Sequence, residues 1–562
     1  MQRYPAFAVL FLFCFVLLGF AYPGVAHADT DAPVPVQSVQ PARTTMPKTL
    51  QASGMIEPGN FYVNENLFAS NLPILVLELE GGDTPAQNLT AQLTLYDKAD
   101  GANSLTDVPV STALVHLQER QDYPTHGKAT YSLTLPGMAD MPDTAATEGK
   151  TPSPRLSLAG LPESAAWLLR GTSHDKGMLK NGLAYRLGQD LIPESTPGNR
   201  FCEVLFLLNG AYQYEGIYIL TESMDEFYRR LAAPGKEGIL LHQTSGRERQ
   251  ADNVVRVGNT YFLVTRLWTD EALTKDEARE IAFELERLES ILYSVSPSAF
   301  LSYSQYLDEK SAIGFFLLNS IMMNVFDDMV PFVLLKNKEG KFQFIPDWNF
   351  DNAIDNEPER RRPLPYERGE VEVESISTFA RRPPVWTILG DGGTIRDLRI
   401  YPLYRALEGE KFLWVDRLFL SKPYLSGLYT TFTRCREEHF STRHLLGIVD
   451  ILALQLGHAM ERDWMRWEEE YNSDSGPNHL SPFEDAKGIT HNRQTTSFDQ
   501  ELVKISYSLG KQTQYLGTNI ELLQGMSADL YAVEKSGNRQ AAYSFLALFA
   551  MAGIIFILTR KL

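Results

Sequence analysis

Acids and amides gather at two places in the middle of the chain. Asp327-Asp328 closes a run with helical spacing, and Asp347, Asn349 and Asp351 follow a strand-like run ending at Pro346. Two carboxylates at the negative end of a helix gain nothing from its dipole, so Asp327 and Asp328 do not serve to stabilise that helix. Oxygen-bearing side chains suit a hard cation, for which histidine and cysteine are poor ligands. Softer chemistry has no motif here: the sequence holds no CxxC pair and no HExxH. No paired-carboxylate or Ser-His arrangement points to a hydrolase. Gly390-Asp391-Gly392-Gly393 is glycine-rich but isolated, and reads as a loop. Of three cysteines, Cys14 lies in the leader; Cys202 and Cys435 are either one disulfide of an oxidising compartment or two buried thiols.

Local patterns supply the elements that must position these groups. Apolar alternation predicts strands over Leu72–Glu80, Leu89–Asp97 and Tyr131–Leu135, with a short buried strand at Trp167–Leu169. Met178–Leu191 has helical spacing. Val204–Leu208 and Gly216–Leu220 flank Asn209-Gly210, a pair that favours positive φ and so a tight hairpin. Asp270–Ser294 and Tyr303–Phe326 read as helices. Phe332–Lys336 and Phe342–Pro346 make a second hairpin around Glu339-Gly340, and helical patterns run from Ile400 to about Glu470. Strands first and helices after give an α+β class, strand-rich in its N-terminal part and helical in its C-terminal part.

The 562 residues are 44% apolar and 22% charged, which is globular chemistry with room for a sizeable core. The formal charge of -18 disfavours a phosphate backbone, so no nucleic-acid partner is expected. The N-terminus reads as a secretory signal: Arg3, an apolar run from Phe7 to Phe20, then Ala26-His27-Ala28 as a cleavage site. Ala541–Thr559 is apolar and uncharged, spans roughly 28 Å as a helix, and is followed by Arg560-Lys561. These ends predict a single-pass membrane protein whose large N-terminal region is periplasmic or extracellular and whose C-terminus is cytoplasmic. The expected organisation is a signal peptide at 1–28, a flexible linker at 29–65 and a folded body at 66–470. A polar linker at 471–500, a helical stalk at 501–540 (or a helix packed back on the body) and the membrane helix at 541–559 complete it.

The body resembles the CotH kinase-like family, named for a spore-coat protein, over about residues 70–470. Gly127–Leu135 (GKATYSLTL) is similar to the family's PKKSYxLxL strand. Leu158–Gly188 follows its GLP turn, its Trp-containing strand, an Asp, and a helix carrying a Lys-Asn pair. Phe201–Asp225 matches its L-N-G-x-Y-x-G-x-Y-x-L-x-E hairpin, the most specific stretch, and Met322–Asp355 resembles its N-x-D and IPWDFD block. The resemblance implies an atypical protein-kinase-like fold that moves the γ-phosphate of ATP onto secreted proteins. That chemistry needs a cation on the phosphates, oxygen ligands on Mg²⁺, and a carboxylate to orient the attacking hydroxyl. Residue by residue, it implies Lys128 as the phosphate lysine and Glu222 as a lysine partner. It implies Asp327 or Asp328 as the catalytic base, and Asp351 with Asn349 as Mg²⁺ ligands. Asp347 would be a displaced ligand.

Several positions depart from the family pattern. Pro331 replaces an Asn and cannot ligate through its side chain, Asn349 replaces the first Asp of WDFD, and His242 stands where a Glu often ends a strand. Two functions follow as expectations. One is an extracytoplasmic, ATP- and Mg²⁺-dependent kinase acting on secreted or surface proteins. The other is a catalytically inactive kinase-fold scaffold for envelope, coat or surface assembly.

Overall fold

The computed structural model describes residues 55–517, apart from 80–88, 99–101, 121–127, 137–153, 173, 244–252, 258–259, 270, 293, 295, 325–331, 357–413, 415–417, 419–420, 474–478, 485–489 and 515. The predicted leader, the predicted membrane span, Asp327 and Asp328 therefore lie outside the described residues, as does the Gly390–Gly393 loop.

In chain order the strands are β1 (Ala69–Ser70), β2 (Ile74–Leu79), β3 (Leu89–Tyr96), β4 (Asn103–Ser104), β5 (Ser111–Glu119), β6 (Tyr131–Thr134), β7 (Ala166–Arg170), β8 (Asn199–Leu208) and β9 (Ala211–Glu222). They are followed by β10 (Ile239–Gln243), β11 (Val254–Val257), β12 (Thr260–Arg266), β13 (Phe332–Lys336) and β14 (Phe342–Pro346). The main helices are α1 (Leu179–Leu191), α2 (Met224–Leu231), α3 (Lys275–Leu292), α4 (Glu309–Met322), α5 (Lys422–Glu438) and α6 (Thr442–Tyr471).

Seven strands close into a barrel in the order β2-β3-β5-β6-β7-β9-β8. Each pair is antiparallel except the closing one, where β8 runs parallel to β2 with Leu75 opposite Val204. The alternation in the sequence sets the faces. Leu75, Leu77, Leu93, Leu117, Trp167 and Leu220 fill one cluster. The intervening Ile74 and Val76 of β2 bury against Phe68 and Tyr214 on the other side. A strand covered on both faces needs a nearly continuous apolar run, which is what β2 is. The Asn209-Gly210 turn joins β8 to β9 with φ of 51° and 81°, the mirror-image geometry that matches strand twist.

A second, five-stranded antiparallel sheet has the order β11-β12-β10-β13-β14. Both of its faces join the largest core with α1, α4, α5 and α6: Leu240 and Leu335 lie on one side and Phe262 and Leu334 on the other, with Phe316, Tyr424 and Leu452 from the helices. Three helix starts are fixed by side-chain caps. Asp308 accepts from Lys310 N and Ser311 N, Ser421 from Tyr424 N, and Ser441 from His444 N. α6 is kinked at Gly457, whose φ of 43° is non-helical, and Asn71 Nδ2 donates to the Gln455 carbonyl near that break. Residues 498–514 and 516–517 are helical; Ile505, Leu509 and Leu516 are buried in the same core.

The α+β expectation is corrected. The fold is mixed α/β, with a closed barrel and further sheets rather than a strand half followed by a helical half. α1 interrupts the barrel strands, and β10–β14 interleave with α2, α3 and α4. β10, β11 and β12 lie where no strand is expected from the sequence, and barrel closure rests on β8 meeting β2 more than a hundred residues away. Nor does the structure support the membrane-helix part of that fold class. Among the described residues no helix is long and apolar enough to cross a membrane. Cys202 and Cys435 are both buried free thiols, in separate cores.

Candidate functional site

Lys128 stands just before β6, and its side chain is wholly buried. Its ammonium donates to Asp463 Oδ1 and sits 5.3 Å from the centroid of the Tyr218 ring. Burial pushes its pKa down, and the Asp463 charge only partly opposes this. Asp463 comes from α6, which brings a row of side chains to the barrel. Asp463 Oδ1 also accepts from Ile217 N at 2.7 Å, and Oδ2 accepts from Tyr471 OH at 2.8 Å. Next to it, Arg462 grips Glu203 through two hydrogen bonds of 2.9 and 2.6 Å. One turn on, Arg466 reaches Glu215 at 3.4 Å, and Trp467 Nε1 donates to the Glu215 carbonyl at 2.9 Å.

This docking depends on an irregularity in β9. The register slips between Val204 and Leu205 of β8, so that Glu215 is an extra residue on the facing strand. Gly216 beside it has φ +117°, and a Cβ there would lie 2.5 Å from Asp463 Oδ1 and 2.9 Å from Trp467 Nε1. Gly216→Ala therefore has to break the Lys128–Asp463 pair as well as strain the backbone. It is expected to destabilise the fold by roughly 3 kcal/mol or more, read as a lowered denaturant midpoint; an unchanged midpoint would contradict this packing.

Burial raises the Glu215 carboxyl from 4.5 to about 7, against the lowering effect of Arg466 and Lys128. The folded chain thus holds this proton more tightly than the unfolded chain. The stabilisation is complete below about pH 4.5 and is lost as pH rises through about 7. Glu215→Gln is expected to remove up to about 3 kcal/mol of this pH dependence. Melting curves should place the variant above the parent at pH 8 but not at pH 4.5; parallel curves for the two proteins would refute it.

Glu222 does not meet Lys128. Its carboxylate takes Arg230 of α2, with Nη2 at 3.0 Å from Oε1, and accepts from Gly198 N at 3.0 Å.

Asp351 belongs to a second cluster, at the N-terminus of α1. Asp175 Oδ2 accepts from the backbone N of Asn181 at 3.0 Å, placing a carboxylate where the helix dipole favours it. The Asn181 amide nitrogen donates to Asp175 Oδ2 at 3.2 Å and to Asp351 Oδ1 at 2.7 Å. Its carbonyl accepts from Phe350 N at 3.1 Å, which fixes the amide's orientation. One amide thus bridges two carboxylates that would otherwise repel. Two cations flank them: Arg170 Nη2 is 3.9 Å from Asp351 Oδ2, and Lys180 is 3.5 Å from Asp175 Oδ1 and 2.7 Å from Glu501 Oε2. Burial pushes Glu501 upward, but the Lys180 and Lys504 charges outweigh it and hold it at about 2. Burial pushes Asp175 up, and there the neighbouring Lys180 does not prevail.

The turn that carries Asp351 is held from several sides. Trp348 has φ 55°, an uncommon conformation for a bulky residue. Its ring stacks on Tyr185 of α1 with centroids 5.2 Å apart, and Arg170 donates to its carbonyl. Asn349 Oδ1 accepts from Asp351 N at 3.2 Å, its carbonyl accepts from Asn324 Nδ2 at 3.2 Å, and Asn356 Nδ2 donates to the Asp351 carbonyl at 2.7 Å. A strained turn kept by this many contacts is typical of sites where chemistry sets the geometry.

The donor set suits a hard cation. Asp351 and Asp175 offer carboxylate oxygens and Asn349 an amide oxygen, while Asn181 turns its amide nitrogen, not its oxygen, toward the two carboxylates. Asn352, the next residue, has a buried Oδ1 without a hydrogen-bond partner. The phosphate side of a nucleotide site is different: Lys128 is spent on Asp463, and the cations beside the carboxylates are Arg170 and Lys180. Sequence reasoning nominated Asp351 and Asn349 but not Asp175, Asn181, Lys180, Glu501 or Asp463. The first three were visible, as the Asp and the Lys-Asn pair of the resemblance. Asp463 and Glu501 had no local signal, because their meaning comes from partners more than three hundred residues away.

A search of the curated proteins finds no match. The model of the family described as CotH kinase protein matches residues 148–505. That stretch starts after Lys128 and extends past Glu501, so it contains Asp175, Asn181, Asp351 and Asp463. Because the match spans well over half of the 562 residues, the chain belongs to the CotH kinase family and is kinase-like.

Proposed function

We propose that this kinase-like chain is a Mg²⁺- and ATP-dependent phosphotransferase acting on hydroxyl groups of secreted or surface proteins. The observation that carries the reading is the convergence of Asp351, Asp175 and Asn181 at the N-terminus of α1, with Arg170 and Lys180 alongside. When bound, the metal would neutralise phosphate charge and hold the nucleotide for in-line transfer. Asp351 would hold it, with Asn349 and Asp175 as further oxygen donors. Arg170 would keep the turn in place through the Trp348 carbonyl, and Asn181 would set the separation of the two carboxylates. Work outside the cytoplasm rests on the signal-like first 28 residues.

A second reading, a kinase-fold scaffold without chemistry, is favoured by one observation: the Lys128 side chain is wholly buried on Asp463. Nucleotide binding separates the two. Purified full chain is expected to melt at a higher temperature with Mg²⁺ and ATP, and to transfer labelled γ-phosphate to itself or an added protein. Neither a melting shift nor labelling leaves only the scaffold. A shift without labelling also rejects the enzyme.

A further inference from the structure

Three helix ends meet at the C-terminal end of α1, whose N-terminal end carries the Asn181–Asp351 contact, and each contributes a side chain able to hold a metal. Asp190 lies in the last turn of α1, His439 caps the C-terminus of α5, and His444 lies in the first turn of α6. One ligand atom from each falls within 4.8 Å of the other two. We propose that Asp190, His439 and His444 form a site for a divalent transition metal of the zinc class, independent of any phosphotransfer chemistry.

Four observations support it. Zinc bound tetrahedrally by nitrogen and oxygen at about 2.0–2.1 Å needs its ligand atoms roughly 3.3 Å apart, and Asp190 Oδ2 and His439 Nδ1 are already 3.4 Å apart. His444 Nε2 is buried and has no hydrogen-bond partner, and neither has Asp190 Oδ2; a buried imidazole nitrogen left in that state is costly unless something else occupies it. The other nitrogen of His439, Nε2, lies 3.5 Å from Glu438 Oε2. A carboxylate behind a ligating histidine fixes its tautomer and raises its basicity. Finally, the two imidazoles are edge-on at 5.8 Å between centroids, so neither ring blocks the other.

Three protein ligands leave a fourth position. A cavity of about 690 Å³, lined by His444, Glu438, Arg186, Arg443 and Ser441, opens beside the cluster. A water or an anion attracted by the two arginines would complete the coordination from that side. The ion would also tie α6 at its start to α1 and α5, and so fix the helix that carries Arg462, Asp463 and Arg466 to the barrel.

The test uses the full chain after dialysis against a chelator, titrated with zinc alone by calorimetry and by melting. The expected result is one tight equivalent and a higher melting temperature, both lost in His444→Ala and in Asp190→Asn. Cobalt in place of zinc should give the visible bands of a low-coordinate nitrogen–oxygen site. No tight equivalent in the dialysed parent overturns the proposal even if a variant fails to fold. A tight equivalent retained in both variants overturns it too, by placing the ion elsewhere.

Discussion

Asp463→Asn is expected to destabilise the fold by about 3–5 kcal/mol, because it leaves the Lys128 ammonium in the interior without its counter-charge. Lys128 and Asp463 are both 0% exposed at their side chains, so water cannot take the place of either. The asparagine keeps an oxygen for Ile217 N, and its amide nitrogen can donate to the Tyr471 hydroxyl that the carboxylate accepted from, so the main loss is the charge and the variant tests the pair. Lys128→Met should be damaging for the converse reason, stranding a carboxylate whose other donors are Ile217 N and Tyr471 OH. The double variant is expected to be more stable than the sum of the two losses predicts, since neither charge is then stranded. Urea unfolding of the four proteins checks this. Additive losses would mean that the two side chains act separately, and that α6 is held to the barrel by its other contacts, those of Arg462, Arg466 and Trp467 among them.

Asp351→Asn is expected to reduce phosphate transfer by about 100-fold or more, the scale on which loss of a charged group at a phosphoryl site is felt. The fold should survive, because an asparagine there still offers an oxygen to Asn181 Nδ2 and keeps the backbone contacts with Asn349 and Asn356. The melting temperature without nucleotide should change little, while the Mg²⁺-dependent part of the nucleotide shift disappears. A variant that transfers phosphate at the parent rate would remove Asp351 from the site while leaving the family assignment intact. Glu222, whose carboxylate is taken by Arg230, serves as a comparison. Its loss should lower stability without a selective effect on metal.

The hairpins were legible because their signals are local. Asn209-Gly210 needs only its own two positive φ angles to turn β8 into β9, and Gly340, with φ 75°, does the same between β13 and β14. The turn carrying Asp351 was legible through residue types, since acids and amides beside a strand end stand out in an apolar neighbourhood. Barrel closure was not, because a parallel pairing of β2 with β8 leaves no mark at either strand. The partner of Lys128 was missed for the same reason. Asp463 sits in a helix rich in acids, and only the slipped register at Glu215 and the bare Cα of Gly216 let it approach. Polar residues between 471 and 500 were also misleading as single letters: Arg493 and Thr495 are buried, with Arg493 3.1 Å from Asp355 and Thr495 bonded to Glu501.

The most direct measurement is an anomalous-difference map from crystals of the full chain grown with Mn²⁺ and a non-hydrolysable ATP analogue. The phosphotransferase account predicts a metal peak about 2.1 Å from an Asp351 carboxylate oxygen, with the analogue's phosphates on its open side. Manganese absent from that turn, with Asn181 still bridging Asp175 and Asp351 in the presence of saturating nucleotide, would contradict it.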